Sequence, residues 1–320
     1  MNNEPIHIVV CSDANYLCHT ATMLVSLFEH NRQSKVVVHL IGTGIGDIDL
    51  LRFRNTLDAY SQQLCFYPFD ISNVDSLPKG THKYITSTTY CRLFIQDILP
   101  SYINKVLYLD GDILVMGDIQ KMWNTDLTGY LVAATSDEVN GYAEYYARFG
   151  FPSDHVYFNA GMLLINLAQW RAEDIKSRAF EFLARTNRPR LDNADQDILN
   201  VLCAGKICEL PLRYNLQDAI LRRSVPNIRK EVEATIDNEI GEGRIFHFSC
   251  VKKPWDFRCI HPLKKEYYRF REKTEWRGLV QEVNDKEVIY MIAYWCAYML
   301  GLTNRYRKSV FQFAKRIDID

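Results

Sequence analysis

Two carboxylates separated by one residue follow an apolar stretch in the middle of the chain. Asp110 and Asp112 flank Gly111 in the run KVLYLDGDILV, with apolar residues on both sides. Divalent cations such as Mg²⁺ and Mn²⁺ accept oxygen ligands, and a diphosphate supplies more of them. Two charges held beside a core without a partner are costly, and a cation removes that cost. The pair therefore favours a metal–diphosphate site, and a solvated acidic turn is the alternative.

Phosphatases of the haloacid-dehalogenase type have a similar sequence motif, DxDx(T/V), in which the first Asp is the nucleophile. In that class the motif follows the first strand, close to the N-terminus. Here it begins at Asp110, Leu114 occupies the Thr or Val position, and no later paired acidic motif is visible. The phosphatase is therefore the less favoured of the two enzyme classes.

Strand-like and helix-like segments alternate through the first half and must position the acidic turn. Helical spacing of apolar residues predicts helices over residues 20–30 and 48–60. The alternation is typical of βαβ units and a mostly parallel sheet, whose ligands lie beyond the carboxyl ends of the strands. Polar clusters at 12–15, 110–112 and 136–137 fall at such ends. The predicted strands cover residues 6–11, 36–41, 64–69, 105–109, 113–115 and 131–135.

The second half is predicted to continue in the same way and then to change character. A strand is expected over 158–167, a helix over about 171–186, and a helix over 194–202 with Asn193 as its N-cap. A short apolar segment, 246–248, contains His247. From about residue 262 the chain becomes aromatic and basic, which predicts a main domain over 1–262 and a C-terminal appendage over 263–320.

Composition limits the remaining function classes. The chain has 320 residues, 48% of them hydrophobic, which is ample for one large core. A formal net charge of −1 gives no general reason to expect nucleic-acid binding. Nine cysteines without a CxxC pair indicate a reducing compartment and no zinc knuckle. The N-terminus lacks the basic region of a secretory signal, and no apolar run reaches eighteen residues, so no membrane span is expected.

Seven motifs in order make the chain resemble glycosyltransferase family 8, in particular bacterial lipopolysaccharide galactosyl- and glucosyltransferases. They are VVCSDANY, TTYCRL, KVLYLDGDILV, YFNAGMLLINL, ADQDILN, HFSCVKKPW and EWRG, spread over residues 6–276. The resemblance implies a GT-A type nucleotide-binding α/β fold with a mostly parallel central sheet, here with a C-terminal helical appendage. It also implies transfer of a hexose from a UDP-sugar to a glycan acceptor, with retention at the anomeric carbon.

The same resemblance assigns the metal and diphosphate groups. Asp110, Asp112 and His247 would hold Mn²⁺, or Mg²⁺, and Lys253 would meet the diphosphate. Imidazole suits a borderline cation such as Mn²⁺, and the charge of a lysine can offset the charge on the leaving UDP. A core histidine is the alternative for His247, but the acidic pair and the KPW that follows favour the metal ligand. Cys250 stands where the family has Gly, which puts the geometry of that loop in question.

Further positions are assigned by alignment with the family motifs. Those near the nucleotide and donor sugar are Cys11, Asp13, Asn15, Thr89, Arg92 and Asn159. Asp137, Asp195 and Gln196 fall where the reaction would occur, and Gln196 is a poor nucleophile. A front-face reaction, in which the leaving phosphate helps to deprotonate the acceptor, fits a site built around the diphosphate. A double displacement using Asp137 or Asp195 is the alternative.

The C-terminus carries a candidate membrane surface. Residues 288–300 read VIYMIAYWCAYML, and five basic residues follow between 304 and 316. Aromatic residues at an interface and basic residues beside anionic lipid predict peripheral binding to a membrane. The resemblance implies that this is the inner face of the cytoplasmic membrane, where lipopolysaccharide-type acceptors are built. A core-packing helix is the alternative. The choice between galactose and glucose stays open, as does a sugar-nucleotide-binding protein without transferase activity.

Overall fold

A seven-stranded sheet forms the centre of the molecule, in the order β3-β2-β1-β4-β7-β6-β8. The computed structural model describes residues 4–74, 77–78, 87–185, 187–222, 230–279, 285–301 and 305–317. The strands of this sheet are β1 (Ile6–Asp13), β2 (Val36–Thr43), β3 (Gln63–Pro68), β4 (Lys105–Leu109), β6 (Val132–Ala134), β7 (Met162–Asn166) and β8 (Ile207–Glu209). All neighbouring pairs are parallel except the two that involve β7. The prediction of an α/β fold with a mostly parallel sheet is confirmed.

A second, three-stranded sheet lies beyond the acidic turn. It contains β5 (Ile113–Val115), β9 (Leu216–Gln217) and β10 (Ile245–His247), in the order β5-β10-β9. β10 runs antiparallel to β5 and places His247 opposite Ile113. The turn at residues 110–112 therefore joins the two sheets, and the second sheet brings a residue from late in the chain back to this turn.

Thirteen α-helices surround the sheets in the part of the chain that the structure describes. The longer ones in the first half pack by their apolar faces, and α1 is buried along almost its whole length. The helices are α1 (Leu17–His30), α2 (Asp47–Asp58), α3 (Ile95–Ile98), α4 (Gln120–Trp123), α5 (Ala143–Phe149), α6 (Leu167–Ala172), α7 (Ile175–Ala184), α8 (Asp195–Leu202), α9 (Asp218–Leu221), α10 (Lys230–Gly241), α11 (Lys264–Arg271), α12 (Asp285–Met299) and α13 (Lys308–Ile317). None of those described is long and apolar enough to cross a membrane.

The C-terminal helices differ in how deeply they pack. Tyr267 and Phe270 of α11, and Val310 and Phe313 of α13, are buried in a core cluster that they share with the second sheet. The ring of Phe313 lies 4.7 Å from that of Phe246, measured between centroids. In contrast, much of α12 is exposed. The C-terminal part is helical, as predicted, and the boundary at residue 262 stays a prediction.

Three predicted features differ from the structure. The helix predicted over about 171–186 is two helices, α6 and α7, because Asp174 between them adopts a left-handed conformation with φ of 47° and caps α7 through Ser177 N–H. Asn193 is not the N-cap of α8: that position is Ala194, which has no side-chain oxygen, and Asn193 instead donates to the hydroxyls of Tyr145 and Tyr157. The predicted strand over 158–167 begins only at Met162.

Candidate functional site

A cavity of about 500 Å³ opens where β1 and β4 end, beside the second sheet. Every predicted site residue except Asn15 lines it. Asn15 is exposed in the turn after β1, where the backbone N–H of Tyr16 bonds to Asp13 Oδ1 at 2.9 Å and Tyr16 reaches the cavity instead. The predicted residues that line the cavity are Cys11, Asp13, Thr89, Arg92, Asp110, Asp112, Asp137, Asn159, Asp195, Gln196, His247 and Lys253.

Asp110, Asp112 and His247 form a cluster that could hold a metal ion. One ligand atom from each lies within 4.8 Å of the others. Backbone hydrogen bonds fix the turn, since Asp110 N–H donates to Gly161 O at 2.8 Å and Phe248 N–H donates to Asp112 O at 3.0 Å. Two carboxylates and one imidazole suit a borderline divalent cation such as Mn²⁺. The side chains present therefore fit the predicted metal.

Asn215, which sequence reasoning missed, orients the imidazole. His247 Nδ1 lies 3.1 Å from Asn215 Oδ1, and Asn215 Nδ2 donates to Asn159 Oδ1 at 2.9 Å. Because this fixes the amide orientation, Nδ1 is the protonated nitrogen, and Nε2 keeps its lone pair for a metal. Gly161 leaves room for the ring, since a Cβ there would lie 2.3 Å from His247 Cε1.

Lys253 lies directly beside the acidic turn. Its Nζ is 2.6 Å from Asp112 Oδ2, and His247 Nε2 is 3.3 Å from Asp112 Oδ1. Burial raises the pKa of Asp112, but the charge of Lys253 opposes this effect and holds the pKa well below its usual range. The carboxylate is therefore ionised and ready to bind a cation, with a lysine ammonium next to it.

Arg92 joins the metal carboxylates to α8. It is only 4% exposed, its Nη2 donates to Asp110 Oδ1 at 3.1 Å, and its Nε lies 2.8 Å from Asp195 Oδ2. The guanidinium also donates to the carbonyls of Thr89 and Ala160. Burial raises the pKa of Asp195 to about 6, and the Arg92 charge opposes this rise. Arg92 therefore makes most of its hydrogen bonds to other groups of the protein, and it fixes Asp110 relative to Asp195.

Asp137 and Gln196 are held by each other and by the backbone. Gln196 Oε1 accepts from Ala160 N–H at 3.0 Å, and Gln196 Nε2 donates to Asp137 Oδ2 at 3.1 Å. Asp137 Oδ2 also accepts from Asn159 at 2.8 Å. Burial raises the pKa of Asp137. Asp137 Oδ2 and Gln196 Oε1 therefore already accept hydrogen bonds from the protein.

The turn before α8 is fixed by Asp197, which, like Asn215, has no distinctive signal in the sequence. Ala194 has φ of 48°, an uncommon conformation for a residue with a Cβ. Asp197 Oδ2 accepts from the backbone N–H groups of Asp192, at 2.7 Å, and Asn193, at 2.9 Å. The carboxylate of Asp197 thus holds the turn that presents Asp195 and Gln196 to the cavity.

Other cavity residues absent from the predicted set include an aromatic wall and an acidic side chain. Tyr16 and Trp255 pack edge to face with their centroids 5.4 Å apart, and Trp255 stacks on His19 at 3.5 Å. Both aromatics stand inside recognised motifs, SDANY and KPW, which was the available signal.

Glu138 also lines the cavity. Burial, and then the charges of Asp137 and Asp218, raise the pKa of Glu138 to about 7.

Cys250 does not line the cavity, although its neighbours Ser249 and Val251 do. Its thiol makes a hydrogen bond with Asp218, and burial raises the pKa of the thiol well above its usual value. The side chain that replaces the family glycine therefore lies behind the cavity wall, where it is a poor nucleophile.

Known proteins resemble the chain over most of its length. "General stress protein A" of Bacillus subtilis is 30% identical over 87% of this chain and 96% of its own. "Lipopolysaccharide glucosyltransferase WaaO" of Escherichia coli is 26% identical over 98% of this chain and 92% of its own. The structure of the galactosyltransferase LgtC with donor and acceptor sugar analogues superposes with a TM-score of 0.75 at 25% identity, covering 87% of this chain and 98% of LgtC.

The family comparison covers the whole cavity. The sequence model described as "Glycosyl transferase family 8" matches residues 7–259, a range that begins in β1 and ends after the Lys253 loop. All the cavity-lining residues described above fall within this range. The match and the arrangement of the acidic turn agree with the motif-based resemblance, and the chain belongs to glycosyl transferase family 8 and is a glycosyltransferase.

Proposed function

We propose that this protein transfers a hexose, galactose or glucose, from a UDP-sugar to a glycan acceptor of a surface glycan such as lipopolysaccharide. One observation carries the proposal: Asp110, Asp112 and His247 converge in one cavity, with Lys253 Nζ 2.6 Å from Asp112. Such a group suits a diphosphate leaving group better than a phosphomonoester, because the metal and the ammonium together neutralise a double phosphate. The names of the relatives support a hexose and a lipopolysaccharide-type acceptor.

One set of residues would bind the UDP leaving group, and another set would face the donor sugar. Asp110, Asp112 and His247 would hold Mn²⁺, or Mg²⁺, which when bound supplies charge stabilisation to the diphosphate. Lys253 would direct its ammonium at the oxygens of the same diphosphate. Cys11, Asp13 and Thr89 face the nucleotide, with Arg92 behind them as a positioning group. Asn159, Asp137 and Gln196 face the donor sugar, and the described structure gives no cavity role to Asn15.

Retention is best explained by a front-face reaction. Asp137 and Gln196 each accept hydrogen bonds from protein donors, and Asp195 lies 2.8 Å from the buried Arg92. Hydrogen bonds to both Asp137 oxygens, and the Arg92 charge beside Asp195, make these carboxylates weaker nucleophiles. In the front-face reaction the bond from the anomeric carbon to the UDP oxygen breaks, and the acceptor oxygen bonds to the same face. The departing phosphate oxygen takes the acceptor proton.

The test is UDP release from a panel of UDP-sugars, with and without Mn²⁺. We expect release from UDP-galactose or UDP-glucose that requires the metal. Asp112→Asn should lower turnover by about two orders of magnitude, since a metal supplies several kcal/mol of charge stabilisation. Hydrolysis of a phosphomonoester without a UDP-sugar would instead support the phosphatase, and UDP binding without release would support a binding protein.

The exposed face of α12 supports peripheral attachment at the inner face of the cytoplasmic membrane. Ile289, Ile292 and Met299 are 68%, 55% and 68% exposed. Lys308 and Lys315 of α13 are also exposed. Exposed apolar residues on α12 and exposed basic ones on α13 suit an anionic lipid surface, and a membrane-borne glycan acceptor would be presented there.

A further inference from the structure

The side chains of the loop that follows β10 point alternately into the cavity and away from it. Ser249, Val251, Lys253 and Trp255 line the cavity. The residues between them, Cys250 and Lys252, contact other parts of the protein. Because the loop alternates in this way, whatever holds Cys250 and Lys252 also fixes the direction of Lys253.

Asp218 ties the start of this loop to the segment before α13. Its backbone N–H donates to Ser249 Oγ at 3.1 Å, and its carboxylate makes a hydrogen bond with the Cys250 thiol. The same carboxylate accepts from the hydroxyl of Tyr306 at 2.6 Å and pairs with Arg222 Nε at 2.7 Å. Asp218 and Tyr306 are buried, at 3% and 5% exposed. A residue from the C-terminal segment therefore shares one buried carboxylate with the active-site loop.

Tyr294 of α12 holds the next part of the loop. The ammonium of Lys252 lies 3.2 Å from the centroid of the Tyr294 ring, in the range of a cation–π contact. The Tyr294 hydroxyl accepts from Arg222 Nη1 at 3.3 Å. Arg222 in turn lies over the ring of Tyr306, with Cζ 4.3 Å from its centroid. Arg222 thus joins the two tyrosines into one support.

The two faces of α12 separate this contact from the exposed surface. Tyr290, Tyr294 and Tyr298 recur at four-residue spacing and share one face. Tyr294 and Tyr298 pack against the core cluster of the second sheet. Ile289 and Ile292 lie toward the other side and are exposed. A substitution at Ile289 therefore tests the helix without touching its contact with the loop.

We propose that Tyr294 and Tyr306 are positioning residues for the donor site: they hold the Ser249–Trp255 loop so that Lys253 stays directed at the diphosphate of the sugar nucleotide. The inference rests on the proposed function, since Lys253 needs a diphosphate to act on. Groups that bind a leaving group must be held closely in place by the residues behind them. Loosening the loop should weaken donor binding more than the chemical step.

The experiment uses the full chain and four variants. Tyr294→Ala removes the ring, whereas Tyr294→Phe keeps the ring face that Lys252 contacts. Tyr306→Phe removes the hydrogen bond to Asp218 and keeps the ring packing. Ile289→Ala is the control on the same helix. Hydrogen–deuterium exchange of residues 249–255 is measured without ligand, followed by the affinity for UDP with Mn²⁺ and by kcat and KM for the UDP-sugar.

We expect faster exchange of the loop in Tyr294→Ala and Tyr306→Phe. Tyr294→Ala should raise the KM for donor and the Kd for UDP about fivefold to tenfold, the effect of losing one partly desolvated cation–π contact, with kcat changed much less. Tyr294→Phe, which keeps the contact with Lys252 and loses only the 3.3 Å hydrogen bond from Arg222, should retain near-native affinity, and Ile289→Ala should match the native protein.

Unchanged loop exchange and unchanged UDP affinity in both Tyr294→Ala and Tyr306→Phe would overturn the inference. A variant with a lowered melting temperature is judged by local exchange at 249–255 against exchange in the central sheet, which separates loosening of the loop from general unfolding. Failure of the native protein to bind UDP with Mn²⁺ would contradict the proposed function alone, because the exchange data still report whether the tyrosines order the loop.

Discussion

His247 Nδ1 lies 3.1 Å from Oδ1 of Asn215, and this contact leaves Nε2 facing Asp112. His247 ends β10, and Asn215 directly precedes β9, the parallel neighbour of β10 in the small sheet. The orientation of a metal-binding imidazole therefore depends on an asparagine more than thirty residues earlier in the chain. A residue of this kind changes metal affinity without touching the metal.

We expect Asn215→Leu to weaken Mn²⁺ binding by about tenfold to a hundredfold, the usual effect of losing the partner of a metal-binding histidine. The leucine has no acceptor for Nδ1–H, so the ring is free to turn or to change its tautomer. Mn²⁺ titration in the presence of UDP measures the effect. Asn124→Ala, at the exposed asparagine that follows α4, is the control. Equal Mn²⁺ affinity in native protein and Asn215→Leu would contradict the role.

The front-face reaction makes a separate prediction for Asp137 and Asp195. If neither forms a covalent bond to the sugar, Asp137→Ala and Asp195→Ala incubated with azide and UDP-sugar should give no glycosyl azide. Azide fills the space of a removed nucleophilic carboxylate, so a glycosyl azide from either variant would establish a double displacement by that residue. Product analysis by mass spectrometry makes the distinction. Each variant must first bind UDP with Mn²⁺, which shows that its site is intact.

Glu138 should make the protein less stable as the pH rises. Its folded pKa, about 7, lies above the ordinary value of 4.5 because the side chain is buried near Asp137 and Asp218. A raised carboxyl pKa favours the folded state below about pH 4.5, and this stability is lost as the pH rises through about 7. Glu138→Gln, which stays neutral, should therefore gain stability over the native protein by up to about 3 kcal/mol between pH 5 and pH 8.

Thermal unfolding from pH 5 to pH 8 with EDTA present measures this difference. The melting curves of the native protein and Glu138→Gln should converge at the acidic end and separate as the pH rises. Glu181→Gln, at an exposed position on α7, should follow the native protein at every pH. Parallel pH profiles for Glu138→Gln and the native protein would show that Glu138 is charged in the fold throughout this range.

The sequence was sufficient for the parts of the site that lie at strand ends. Asp110, Asp112 and the 136–137 cluster were found because polar residues directly follow apolar strands, and parallel strands end at one edge. Asn15 shows the limit of such reasoning. It belongs to the same polar cluster as Asp13, but the turn bonded through Tyr16 N–H leaves its side chain exposed.

Asn215 and Asp197 could not be predicted, for a different reason. Each acts through a hydrogen bond whose partner is set by tertiary packing or by an unusual backbone turn. Asn215 contacts His247 from the residue before β9, and Asp197 accepts from the backbone of the turn at Ala194. A polar residue at a strand or helix start has no distinctive spacing, since solvated residues are common there. The same is true of Tyr306, whose role depends on the fold bringing Asp218 beside it.

Membrane attachment is best tested on the surface of α12. Removal of residues 280–320 would also remove α13, whose Val310 and Phe313 are buried in the core, so a loss of activity would be uninformative. Point substitutions on the exposed face avoid this difficulty. Ile292 is 55% exposed on α12. Ile48 is 71% exposed on α2, far from Ile292 in the sequence, and serves as the matched apolar control.

We expect the native protein to sediment with anionic liposomes, and Ile292→Asp to reduce the bound fraction severalfold. The substitution would remove an apolar contact with the acyl region and add a charge that anionic lipid repels, while basic residues that reach the lipid surface contribute about 1 kcal/mol each. High salt should weaken binding, because the Debye length falls to about 3 Å at 1 M. Ile48→Asp should bind as the native protein does, and UDP release should be normal in both variants. Equal sedimentation of native protein and Ile292→Asp, or no sedimentation of either, would show that α12 does not contact the membrane.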